Sequence, residues 1–229
     1  MFHGFSKKGQ EFLAKIEQNN NKEWFEAHRG EYEQYILAPC REFVTEMGEH
    51  LQALEPTINI VPKINGSLFK IYRDSRFHRV NPIKTRIGVI FWQGSGKRMA
   101  SSSFYLHFSA KELFLAVGIR SFKPDMLKCY REYIKVDAHR EALHVILQEL
   151  TCKGYLIGEQ RYKRYPKGFK EEMPYAYLSL HNSMFAYTQM KPDKTFFTKE
   201  FPNTAYEIYE DMFELQQWVY EMTLTLELQ

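Results

Sequence analysis

IGVIFWQGSGKRMASSSFYLHFSAKELFLAVG, residues 87–118, holds three apolar runs separated by two polar breaks. Ile87 to Trp92 is nearly all apolar, the composition of a strand covered on both faces. Gly94-Ser95-Gly96 then turns the chain, and Ser102 to Phe108 and Leu113 to Gly118 follow as two more strands. Ser109-Ala110-Lys111-Glu112 between them is a tight hairpin connection. Connections this short join antiparallel neighbours, so the stretch reads as a meander. Upstream, Ile58 and Ile60 alternate and Leu68 to Tyr72 reads as a further strand.

Helical periodicity takes over on either side. Ser6 opens a short amphipathic helix with Phe12, Leu13 and Ile16 on one side. Asn20, with Glu23 three residues on, has the capping-box spacing for a second, in which Trp24, Phe25, His28, Tyr32 and Ile36 recur at helical intervals. Pro39 opens a third, with Phe43, Val44, Met47, Leu51 and Leu54 inward. After the meander, Pro124 and Asp125 start a helix carrying Met126, Tyr130 and Ile134, and Asp137 caps the next. Tyr155 to Ile157 and Phe185 to Met190 have the composition of strands, and Pro202 to Tyr220 closes the chain as one helix. The expected fold class is α+β, an antiparallel β-sheet in the middle third flanked by N-terminal and C-terminal helices. With no linker, repeat or low-complexity segment, residues 1–229 are expected to form a single domain.

The overall charge of +3 conceals an uneven distribution. From Lys63 to Arg98 nine Lys or Arg face Asp74 alone, whereas from Lys199 onward one Lys faces seven acidic residues. No apolar run is long enough to cross a bilayer and the N-terminus has no signal-peptide core, so a cytoplasmic protein without membrane contact is expected. Cys40, Cys129 and Cys152 are widely spaced with no C-x-x-C pair, which signals neither a disulfide framework nor a metal site.

Two segments carry candidate chemistry. In SLFKIYRDSRFHRVNPIKTR, residues 67–86, Arg73, Arg76, Arg79, Lys84 and Arg86 surround the single carboxylate Asp74. If the segment is extended, Asp74 and Arg76 share one face and Arg73 and Phe77 the other, so Asp74 neutralises only part of the cluster. The second segment is Arg164-Tyr165-Pro166-Lys167-Gly168-Phe169, where a Pro and a Gly frame a lysine in a form able to present a cation and a free N–H to an anion. Each has a structural reading beside the functional one: charges pairing at a sheet corner, and a turn with an anchoring ring. Gly94-Ser95-Gly96-Lys97 lacks the first glycine of a phosphate-binding loop and leads into a strand, so it reads as a hairpin turn. No H-E-x-x-H, G-x-S-x-G or strand-to-helix G-x-G-x-x-G occurs, and no catalytic residue can be named.

Arg73, Asp74, Arg76, Phe77 and Asn81 match the pattern R-x-x-R-D-x-R-F-x-x-x-[DN]-K-x-x-Y. By that pattern, by Asn19-Asn20-Asn21-Lys22-Glu23-Trp24-Phe25 and by Arg164 to Phe169, the chain resembles the uncharacterised bacterial family catalogued as domain of unknown function 2461. Lys70, Pro82 and Thr85 depart from the pattern, standing where Arg, Lys and Tyr are usual. The resemblance brings no activity with it.

The residues themselves favour a site for a small phosphate- or carboxylate-bearing ligand, formed from Arg73, Asp74, Arg76, Phe77, Lys84, Arg164 and Lys167, with no cofactor and no metal. Two other classes compete. Basic residues interleaved with Tyr72, Phe77, Trp92, Tyr162, Tyr165 and Phe169 would suit a single-stranded nucleic acid. The acidic C-terminal helix would suit a protein-interaction module with a basic partner. Neither enzymatic activity nor oligomeric state follows from the sequence.

Overall fold

The computed structural model describes residues 1–74, 76 and 80–227. The chain opens with the helices α1 (Lys7–Gln18), α2 (Lys22–Ala27), α3 (Arg29–Tyr32) and α4 (Ala38–Leu54), with a π-helical turn at Glu33–Leu37 joining the last two. A six-stranded antiparallel sheet follows, in the order β1 (Ile58–Asn59), β2 (Arg86–Gln93), β3 (Ser103–Ser109), β4 (Leu113–Ile119), β6 (Met184–Met190) and β5 (Leu156–Ile157). α5 (Pro124–Tyr133) and α6 (Asp137–Cys152) lie in sequence between β4 and β5, and α7 (Phe201–Asp211) and α8 (Phe213–Glu227) come last. This is the expected α+β class, with the sheet completed by two strands from the later part of the chain.

Local differences from the sequence reading have physical causes. Asn21, not Asn20, caps α2 by accepting from the Trp24 N–H at 2.8 Å. Pro39 lies in the first turn of α4, as expected, and the helix follows directly on a π-helical turn. Leu68 to Tyr72 is not a strand but a segment with three isolated bridges among the described residues, Ile64 to Leu68, Leu68 to Val89 and Tyr72 to Ile83. Asp137 lies inside the first turn of α6, and the expected C-terminal helix is broken at Met212.

The chain divides into two compact units, each discontinuous in sequence. The first comprises residues 1–91, 105–115 and 189–208; the second comprises 92–104, 116–188 and 209–229. In the first, Phe5 is the hub of a ring cluster, with centroids of Phe43, Phe108, Phe196 and Phe201 at 5.5, 4.6, 4.6 and 5.8 Å. All five rings are buried, so their area and edge contacts anchor α4, β3 and α7 to one another. In the second, Tyr130 is fully buried and donates from its hydroxyl to the Leu178 carbonyl at 2.8 Å. Among the described residues no helix is long and apolar enough to cross a membrane.

His181 in the second unit makes that core sensitive to acid. Its ring is 4% exposed, and burial pushes its pKa from 6.5 down to about 4 against an opposing hydrogen bond to the Gly158 backbone. The unfolded chain therefore takes up the proton first. Stability should fall as pH drops below about 6.5 and level off near 4, a total loss of about 3 kcal/mol. Urea denaturation at pH 7 and pH 4.5 checks this, with His181→Leu expected to lose much of that difference.

Candidate functional site

The basic segment in the first unit is a hairpin-like loop pinned at its base. Arg73 N–H donates to the Pro82 carbonyl at 2.7 Å and Lys84 N–H to the Ile71 carbonyl at 2.8 Å, on either side of the Tyr72 to Ile83 bridge. In that pattern the N–H and C=O of Ile83 point away from Tyr72. Asn20 fills that outer edge: its Nδ2 donates to the Ile83 oxygen at 2.8 Å, and its Oδ1 accepts from the Ile83 N–H at 2.9 Å. One carboxamide thus does what an adjoining strand would do. It ties the Asn19–Phe25 segment to the arginine segment, two of the three stretches that carry the family resemblance.

The charges above this base are partly spoken for. Asp74 and Arg76 pair with each other, Nε to Oδ1 at 3.0 Å and Nη2 to Oδ2 at 2.6 Å, and the Arg76 N–H also donates to Oδ1 at 3.0 Å. The Arg76 side chain is 78% exposed and that of Asp74 42%, so solvent screens the pair. Arg76→Ala and Asp74→Ala should each leave the urea midpoint nearly unchanged. A marked fall of the midpoint in both would mean the pair is shielded from water. Lys84 sets its ammonium 2.6 Å from the Lys70 carbonyl and 6.0 Å above the Phe69 ring.

Arg73 is different. It is half-buried, and among the described residues its guanidinium makes one hydrogen bond, from Nε to the Ile83 carbonyl at 3.4 Å. Among the described residues no carboxylate lies within ion-pair distance of it. Phe77 and Arg79, also part of the expected cluster, lie outside the described residues. Asn81 sits at φ 60°, a left-handed position that Asn tolerates better than most side chains.

Beside the loop is an ionic cluster that the sequence reading did not select. The Glu26 carboxylate accepts from Arg29 Nε and Nη2, both at 2.8 Å, and from the Tyr72 hydroxyl. These hydrogen bonds, Arg29's first, hold the Glu26 carboxyl at about 2, while burial and the Glu26 carboxylate push the Tyr72 phenol up. The Phe25 ring meets the Tyr72 ring edge-on at 5.3 Å. A Glu and an Arg three apart on a helix were the available signal. Their link to Tyr72 is a tertiary contact that spacing does not show.

Arg164 and Lys167 belong to the second unit, so the basic segments fall in different units. There the Phe169 N–H donates to the Pro166 carbonyl at 3.1 Å and Gly168 adopts φ +94°, which makes Pro166 to Phe169 a tight turn with glycine in its third position. The Phe169 ring is buried, while Arg164 and Lys167 are exposed. No group of three or more His, Cys, Asp or Glu among the described residues could hold a metal ion.

These features define an α+β protein with a cation-rich loop held at its base by an asparagine clamp. The chain belongs to the family described as Conserved hypothetical protein (DUF2461), whose model matches residues 8–218. None of the curated proteins compared with it matches.

Proposed function

We propose that the loop from Arg73 to Lys84 binds a small phosphate- or carboxylate-bearing ligand, with Arg73 as the principal contact and Arg76 and Lys84 as flanking cations. The observation that supports this best is the half-buried Arg73 guanidinium, whose Nη1 and Nη2 face no carboxylate among the described residues. A guanidinium removed from water without a counter-charge is costly, and a bidentate anion meets its geometry. The clamp at Asn20 holds the loop base before any ligand arrives, which reduces the entropy lost on binding. The site proposed is built on the Arg73 loop alone; Arg164 and Lys167 belong to the other unit. Phe169, one of the rings a nucleic-acid platform would use, is buried, which favours the small anion over a single strand. A cytoplasmic protein fits its three free thiols, Cys40, Cys129 and Cys152.

Thermal melts of wild type and Arg73→Gln, with phosphate or with chloride at equal ionic strength, test the reading. A dissociation constant of ~1 mM gives about 2 kcal/mol at ~50 mM phosphate, a rise of roughly 5 °C in the wild-type midpoint. Arg73→Gln should show no such rise. An unchanged wild-type midpoint, or an equal rise in both proteins, would overturn it.

A further inference from the structure

A cavity of about 140 Å³ lies wholly within the second unit, between the loop after β2 and the last turns of α8. It shares no residue with the Arg73 loop. Among the described residues no Lys, Arg, His, Asp or Glu lines it. Ser101 and Tyr220 supply hydroxyls, and Met126 and Leu224 supply apolar surface.

Gln93 lines the cavity and is 2% exposed. Its Oε1 accepts from Gln216 Nε2 at 2.8 Å and from Gln217 Nε2 at 3.3 Å, which fixes the carboxamide plane. Gln217 Nε2 also reaches Gln216 Oε1 at 3.0 Å, and Ser102 Oγ donates to the Gln216 carbonyl at 2.7 Å, so the network is anchored at several points. The other end of the Gln93 amide, Nε2, meets no hydrogen-bond acceptor among the described residues. Although the residue as a whole is buried, this nitrogen is not fully enclosed, so an incoming acceptor can reach it.

We propose that this cavity is a binding site for a neutral, ring-sized organic molecule that offers a carbonyl or ring-nitrogen acceptor to Gln93 Nε2. The volume sets the size: a protein cavity of about 150 Å³ holds a benzene ring. The lining sets the charge. An anion entering here would lose its water with no cation to meet it, and a cation would find no carboxylate. The hydroxyls and the apolar side chains together suit a flat molecule with one polar edge.

Benzamide and benzoate, equal in size and different in charge, are the probes. Titrated into the full-length protein and followed by the amide signals of Gly94 and Gly96, benzamide should bind with a dissociation constant of ~1 mM and benzoate at least about tenfold more weakly. Ala100→Leu, which fills the cavity without touching the glutamine network, should abolish benzamide binding while leaving the phosphate response intact. If that variant does not fold, Leu224→Trp, at a 40% exposed position, takes its place. Equal binding of the two probes, no saturable benzamide shift up to ~20 mM, or benzamide binding that survives filling would overturn the proposal.

Discussion

Gly118→Ala should destabilise the protein by about 4 kcal/mol, the largest effect expected of so small a change. Gly118 lies in β4 at φ +106°, a backbone conformation that L side chains rarely adopt. A methyl group there would overlap the Met184 carbonyl oxygen and lie 3.0 Å from the Phe185 Cα, both backbone atoms of β6 that cannot swing aside. The Gly118 carbonyl also accepts from Ser103 Oγ at 3.1 Å, so a shift of this strand would disturb a buried hydrogen bond. Gly168→Ala is the control. It has a similar φ of +94°, but its methyl would meet the Cε and Nζ of Lys135 at 3.0 and 3.6 Å, the far end of a flexible side chain. It should cost about 1 to 2 kcal/mol, the backbone strain alone. Equal losses in the two variants, measured by urea denaturation, would mean that β4 and β6 can separate enough to admit a methyl.

Arg140→Met should cost about 3 to 5 kcal/mol. The side chain is 3% exposed and works mainly as a cap for backbone carbonyls: Nε donates to Pro174 O at 2.7 Å, and Nη1 to Ile134 O at 2.9 Å and Lys135 O at 3.3 Å. These include the carbonyls that follow the end of α5, where a cation also suits the helix dipole. Methionine fills similar space and leaves all three without that donor. Nη2 pairs with Asp137 at 2.6 Å, yet that carboxylate is 87% exposed. Asp137→Ala should therefore cost less than about 1 kcal/mol. A large loss in Asp137→Ala and a small one in Arg140→Met would reverse the assignment, making the ion pair the stabilising contact.

The fold class was legible because its strongest signals are local. β2, β3 and β4 are apolar runs in sequence order, and the buried stripes of α1, α4 and α6 keep helical spacing over several turns. What failed depended on distant partners. Leu68 to Tyr72 has the composition of a strand, but it meets β2 through the Phe69 to Gly88 and Ile90 to Ser67 hydrogen bonds and an isolated bridge instead of a regular ladder. β5 has two residues, and its pairing with β6, Leu156 with Tyr187 and Ile157 with Ala186, crosses about thirty positions with no periodicity to announce it.

The candidate site was legible as charge and not as pairing. Alternation placed Asp74 and Arg76 on one face, and the two do pair. It left Arg73 on the other face, where its guanidinium meets a carbonyl instead of an acid. The role of Asn20, acting across 63 positions, could not be read from its neighbours, where a nearby Glu made it look like a helix cap.

The most direct test of the anion site is a phosphate titration followed by the Arg73 Nε–H signal together with the Ile83 and Lys84 amides, at fixed ionic strength. Saturable shifts of all three, with a common midpoint at ~1 mM and no counterpart in Arg73→Gln, are the predicted result. Signals that do not move, or that drift linearly without saturating, would contradict it.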